Sequence, residues 1–217
     1  MKSTLLTVFI AIAFTFNFAG AVSLKTETTA NLFEKAKLVK SVTLQNDDKT
    51  ETQMLAVSHG LRKKAVFGLV AVNVYVMQIL AARPEKLVKT EDGFLASIKD
   101  AGPVQLHLTF LRDLPGEKIS SSFKDGLEAN KIDVKNLSPE LTQVLGEISA
   151  ITEFKDGESF SITFTWAGDK ATAYLTDTTL KIKTVTGDKV FADQLLSIWF
   201  GKPADGKLEN LKKDLIK

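Results

Sequence analysis

The chain has 217 residues, no cysteine, and 28 Lys and Arg against 26 Asp and Glu, for a net charge of +2. That length favours one domain with a full core. Lacking cysteine, it has no disulfide staples, thiolate metal site, thiol catalysis or lipid-modified N-terminal Cys, and without a basic face or arginine-rich tail it has no nucleic-acid footprint.

Taken in chain order, the opening sets Lys2 before the uncharged run Leu5 to Phe18 and ends in Ala19-Gly20-Ala21, the small-x-small pattern a signal peptidase accepts. Residues 1–21 are expected to be a signal peptide cleaved near Ala21/Val22, and losing Lys2 takes the charge from +2 to +1. An uncleaved anchor fits less well, because Asn17 interrupts the apolar run before the processing pattern. The expected product is periplasmic or secreted, most simply bacterial, with no integral membrane segment left after cleavage. Residues 22–38 are mixed and polar, Thr-rich at their start, and are expected as a lead-in to a domain spanning 39–217.

Gln53 to Val57 is expected as a strand after a turn at NDDKTE. The stretch HGLRKKAVFGLVAVNVYVMQIL, His59 to Leu80, then sets three basic residues before a long apolar run. Ala65 to Ala82 is an uncharged span of 18 residues, long enough to raise the question of a membrane helix. Asn73 and Gln78 would be unsatisfied in lipid, and basic residues flank both ends, so no orientation bias emerges. Val66, Val70, Val72, Val74 and Val76 instead favour extended backbone, and both parities are apolar, which predicts a strand buried on both faces.

A helix is expected from Pro84, broken or bent at Gly93, followed by a half-buried strand with Val104, Leu106, Leu108 and Phe110 on one face. Ile119, Phe123 and Leu127 fall at i, i+4, i+8 and predict an amphipathic helix. Another begins at Ser138-Pro139 with Leu141, Val144, Leu145 and Ile148 inward. Phe160, Ile162, Phe164 and Trp166 open a three-strand meander with a turn at Gly168-Asp169. Asp188 caps a helix that stops at Gly201 with Pro203 beyond, and a last helix carries Leu208, Leu211 and Leu215. The pattern predicts one α+β domain, a largely antiparallel sheet with helices packed against it.

Catalytic signatures are absent: no G-x-S-x-G elbow, phosphate loop, G-x-G-x-x-G or H-E-x-x-H occurs. His59 and His107 lack ligand spacing, so no metal is expected. The carboxylates are scattered and define no acid/base pair. Arg62 is left as a candidate clamp for a carboxylate or enolate, since guanidinium stays charged and presents a planar fork. The bland reading is a solvated basic cluster with Lys63 and Lys64.

Gly60-x-Arg62-Lys63-Lys64, then Phe67, then VAVNVYV resembles the G-x-R-x-K…F…K-V-Y-V-A-G-L-Y segment of the chalcone isomerase family, particularly its bacterial chalcone-isomerase-like branch. LHLTFLRDLPGEKISSSFKDGLEAN, FTWAGDKATAYL and FADQLLSIWFGKPADGKLENLKKDLI are similar to further segments of that family in the same order, from about Val39 to the C-terminus. The resemblance implies an open-faced sandwich, a large antiparallel sheet with helices on one face and a ligand cleft between them. Members of the family cyclise chalcones, bind fatty acids or have no known turnover. In both active groups the arginine matched by Arg62 holds the ligand's oxyanion.

The cyclising enzymes' threonine and tyrosine are matched by Val70 and Ile119, neither of which can donate a hydrogen bond. Losing such donors costs roughly 3 to 4 kcal/mol each in comparable oxyanion sites. The resemblance therefore implies a ligand site of Arg62, Val70, Val72, Tyr75, Ile119 and Phe123, without cofactor or metal, that binds an apolar acidic, fatty-acid-like molecule. An isomerase or intramolecular lyase on an unknown substrate, with Tyr75, Asn73 or His107 as donor, is the alternative. A collapsed cleft would point to a protein-interaction role.

Overall fold

A computed structural model describes residues 22–66 and 70–217. The expected signal peptide and Phe67 lie outside the described residues. Eight strands form a single sheet in chain order, every neighbouring pair antiparallel.

The stretch expected as a polar lead-in is instead strand β1, Ser23–Phe33, paired with β2, Ala36–Gln45, through a turn at Glu34 and Lys35, both in the left-handed region. Alternating Thr, Lys and Glu side chains suit an exposed strand that needs few apolar contacts. β3 runs from Glu51 to Val66, so the basic triplet lies inside a strand rather than ahead of one. β4, Val70–Ala81, pairs back along it. The long apolar run is thus divided between two strands, and burial on both faces holds only from Tyr75 to Ala81. Before Tyr75 the strand extends past the packed layers, leaving Val70 62% exposed.

The helix expected at Pro84 reduces to a 3-10 turn, Pro84–Lys86, then α1, Phe94–Ser97, and a second 3-10 turn. Gly102, at φ 80°, ends this segment before β5, Val104–Phe110. Between β5 and β6 come α2, Gly116–Ala129, and α3, Pro139–Ser149, the latter capped by the Ser138 hydroxyl accepting from Leu141 N–H. β6, Ser159–Ala167, β7, Lys170–Thr176, and β8, Ile182–Asp188, make the expected meander. α4, Lys189–Phe200, and α5, Gly206–Leu215, follow.

The helices pack on one face of the sheet. There Leu106, Leu108, Phe110, Ile162 and Phe164 meet Phe123, Leu145, Leu195 and Trp199 in one continuous core. β1 and β2 curl across the back, where Val39, Val42, Leu44, Met54 and Leu80 form a smaller core. The Gln78 amide fastens that layer, accepting from Val39 N–H at 2.7 Å and donating to Val39 O at 3.1 Å. No described helix is long and apolar enough to cross a membrane.

Candidate functional site

Arg62 sits in β3 directly opposite Tyr75 of β4, and the pairing register slips between Arg62 and Lys63. Such a bulge re-aims neighbouring side chains. Arg62 turns toward the helical layer and is only 8% exposed. Its guanidinium meets Asp205 with both prongs, Nη1 donating to Oδ1 at 2.8 Å and Nη2 to Oδ2 at 2.6 Å, while Nη1 also donates to Lys63 O at 2.6 Å. Asp205 is the N-cap of α5 as well, accepting from Lys207 N–H at 2.9 Å and Leu208 N–H at 2.8 Å. One carboxylate therefore joins a helix start to a strand 143 residues away.

The electrostatics follow from that pairing. Burial works against the Arg62 cation, but the Asp205 hydrogen bond together with the charges of Tyr75 and Asp205 outweighs it and holds the pKa above the usual arginine value. Burial likewise pushes Asp205 up, while Arg62 and the α5 N–H donors overcome it and leave the carboxyl below its ordinary range. Tyr75 is buried, and that burial raises its hydroxyl above the usual tyrosine value despite the nearby Arg62 charge. Its oxygen accepts from Trp199 Nε1 at 3.0 Å. The hydroxyl proton has no acceptor among the described residues. Phe123 stands edge-on to the Trp199 ring at 4.9 Å, completing the aromatic wall.

Arg62, Tyr75, Ile119, Phe123 and Asp205 enclose a cavity of about 50 Å³. Beside it lies a groove of about 400 Å³ lined by Val72, Val74, Leu114 and Ile119, with Lys64, Arg112 and Lys118 also on its walls. Both are bordered by Lys64, Val74, Ile119 and Ser122, so they adjoin across these side chains. The inner cavity is far smaller than the roughly 300 to 1,000 Å³ common for small-molecule sites, whereas the groove falls within that range. A groove of about 800 Å³ beside Asp133, Lys170 and Asp188 mixes both signs of charge and gathers no convergent polar set.

Of the residues expected at the site, Arg62, Tyr75, Ile119 and Phe123 come together and Val72 lines the groove. Val70 borders neither space, because it sits on the exposed end of β4. The expectation of Arg62 at a strand mouth with a free fork is corrected too, since Asp205 occupies the fork. Asp205-Gly206 carries the signal of a helix cap, an acid before a helix start, but nothing in the sequence points from it to Arg62. His107 lies on the opposite face of the sheet, and Asn73 donates to Glu34 at 3.1 Å. No cluster of three or more His, Cys, Asp or Glu suited to a metal occurs among the described residues.

The chain matches the chalcone isomerase-like family model over residues 34–216 and belongs to that family. Among solved structures it is similar to a fatty-acid binding protein of Arabidopsis thaliana, at 15% identity and a TM-score of 0.56, over 75% of this chain and 86% of that one. That likeness is one of fold. A search of curated proteins found no match.

Proposed function

We propose that this is an exported, non-catalytic chalcone-isomerase-like protein that binds an apolar small molecule with an acidic, fatty-acid-like head in the cleft between sheet and helices. The observation that carries this reading is the buried Arg62 fork, with the unspent Tyr75 hydroxyl beside it, adjoining a groove of about 400 Å³ whose walls combine Val72, Val74, Leu114 and Ile119 with Lys64, Arg112 and Lys118. The fork already holds a carboxylate, so its geometry suits that group. A ligand head takes the place of Asp205 at Arg62, receives the Tyr75 proton in a hydrogen bond, and sends its chain past Val74 and Ile119 into the groove. The fold shared with a fatty-acid binding protein supports the same ligand class. The N-terminal pattern and the lack of cysteine fit a periplasmic protein held by its core alone.

Native mass spectrometry of the protein recovered from its own cell, followed by organic extraction, tests this. A stoichiometric apolar acid is the expected result, and Arg62→Ala should weaken its binding by about 2 to 5 kcal/mol. Binding unchanged in that variant removes the clamp.

One observation favours a second reading, an isomerase or intramolecular lyase: the Tyr75 hydroxyl beside Arg62 pairs a proton donor with a fixed cation, the makings of an oxyanion site. Ile119 at the cleft supplies no donor and Val70 lies outside it, which argues against flavanone-type cyclisation. Turnover of an acidic or enolisable substrate that Tyr75→Phe abolishes while leaving ligand affinity intact would establish it.

A further inference from the structure

The end of β3, the start of β4 and the turn into α2 converge at the groove, and their charge is one-sided. Lys63, Lys64, Arg112 and Lys118 are all exposed, and none forms an ion pair among the described residues. Lys64, Arg112 and Lys118 line the groove, and no carboxylate does. The neighbouring acids are placed elsewhere: Glu34 accepts from Asn73, Asp113 accepts from Asp156 N–H at 2.8 Å, and Asp125 borders the inner cavity instead. Glu117, exposed in the first turn of α2, does not line the groove.

Next to Lys63 and Lys64, on the paired ends of β3 and β4, lie Ala65, Val70 and Ala71, all exposed, with Val70 at 62%. Exposed apolar side chains beside unpaired Lys and Arg complement an anionic lipid surface, whose phosphates meet the cations while the apolar strand end reaches the acyl boundary. We propose that this face docks on an anionic bilayer, so that the groove takes its ligand from the membrane. The purpose of docking, loading the cleft, rests on the ligand reading above; the docking itself does not.

The test is vesicle flotation of the protein recovered from its own cell, its N-terminus fixed by mass spectrometry and kept the same in every variant. Mixed phosphatidylglycerol and phosphatidylcholine vesicles should carry the protein and pure phosphatidylcholine should not. Binding should fade toward about 1 M salt, where the screening length shrinks to roughly 3 Å. Removing one cation should weaken binding about five-fold, and reversing three in K64E/R112E/K118E on the order of 100-fold or more. These side chains are exposed, so an unchanged circular dichroism melt shows that the variant is folded.

Equal flotation with both vesicle types, or wild-type flotation of the triple variant, overturns the proposal. A protein that ignores vesicles but binds another protein through this face also overturns it. Oleate binding in vesicle-free buffer separates the two readings. Oleate bound without flotation ends the docking and keeps the cleft, whereas flotation without oleate binding does the reverse.

Discussion

Asp205 supplies the counter-charge to an Arg62 guanidinium that is almost wholly buried. Breaking a fully buried pair commonly costs about 3 to 5 kcal/mol, but the Asp205 side chain is 40% exposed, and water trims the expected loss for Asp205→Asn to about 1 to 2 kcal/mol. Asn keeps the α5 cap, so the loss reports on the ion pair. The same substitution frees the fork, and an acidic apolar ligand should bind Asp205→Asn more tightly than the wild type by isothermal titration. Weaker binding would mean that the head sits elsewhere. At this scale the sequence named the arginine but not its partner. Guanidinium chemistry and a family-like segment mark Arg62, whereas the Asp205 contact spans 143 residues and depends on how α5 lies on β3.

α5 reaches that position through a close approach to β3. A Cβ on Gly60 would lie 2.8 Å from Leu211 Cδ1 and 3.0 Å from the Asp214 Cβ, so the helix rests against a strand surface without a side chain. Ser58 Oγ donates to Leu215 O at 2.5 Å in the same seam. Gly60→Ala should push α5 off the strand at a cost of about 1 to 2 kcal/mol in chemical denaturation, and should also raise the hydrogen exchange of the Lys207 and Leu208 amides that Asp205 caps. Unchanged exchange there would uncouple the seam from the site. Elements with strong periodicity were readable in advance: α2, α3, α4 and the meander follow from apolar spacing and caps. β1 was not, because an exposed strand of Thr, Lys and Glu carries no apolar alternation to distinguish it from a tail. The hairpin inside the long apolar run was hidden for the opposite reason, since Ala65 and Val66 at the end of β3 are apolar like the β4 residues that follow and read as part of the same strand.

Across the whole molecule the sheet separates an apolar, helix-covered face from a back layer with a polar lining. His107 faces that layer beside a cavity of about 270 Å³, and burial depresses its pKa from 6.5 to about 4. A base whose folded pKa is depressed contributes its full stability above the unfolded value and loses it as pH falls toward the folded one. The protein should therefore lose up to about 3 kcal/mol between pH 6.5 and 4, read as a falling urea midpoint, and His107→Gln should flatten that slope. A slope unaltered in the variant would assign it to other groups. Asp205 acts lower, because its depressed pKa keeps the carboxylate charged until the pH drops below the ordinary carboxylate range. The back layer also bears on where the chain can be cut. The family match begins at residue 34, yet β1 ends at Phe33 and covers the outer edge of β2. A protein trimmed to the shared family boundary would present the bare hydrogen-bonding edge of β2 beside Val39, Val42 and Leu44. Such an edge is a template for pairing with another copy of itself, and the eleven residues of β1 replace it with an outer edge carrying Lys25 and Glu27, whose charges discourage one molecule's sheet from growing into the next.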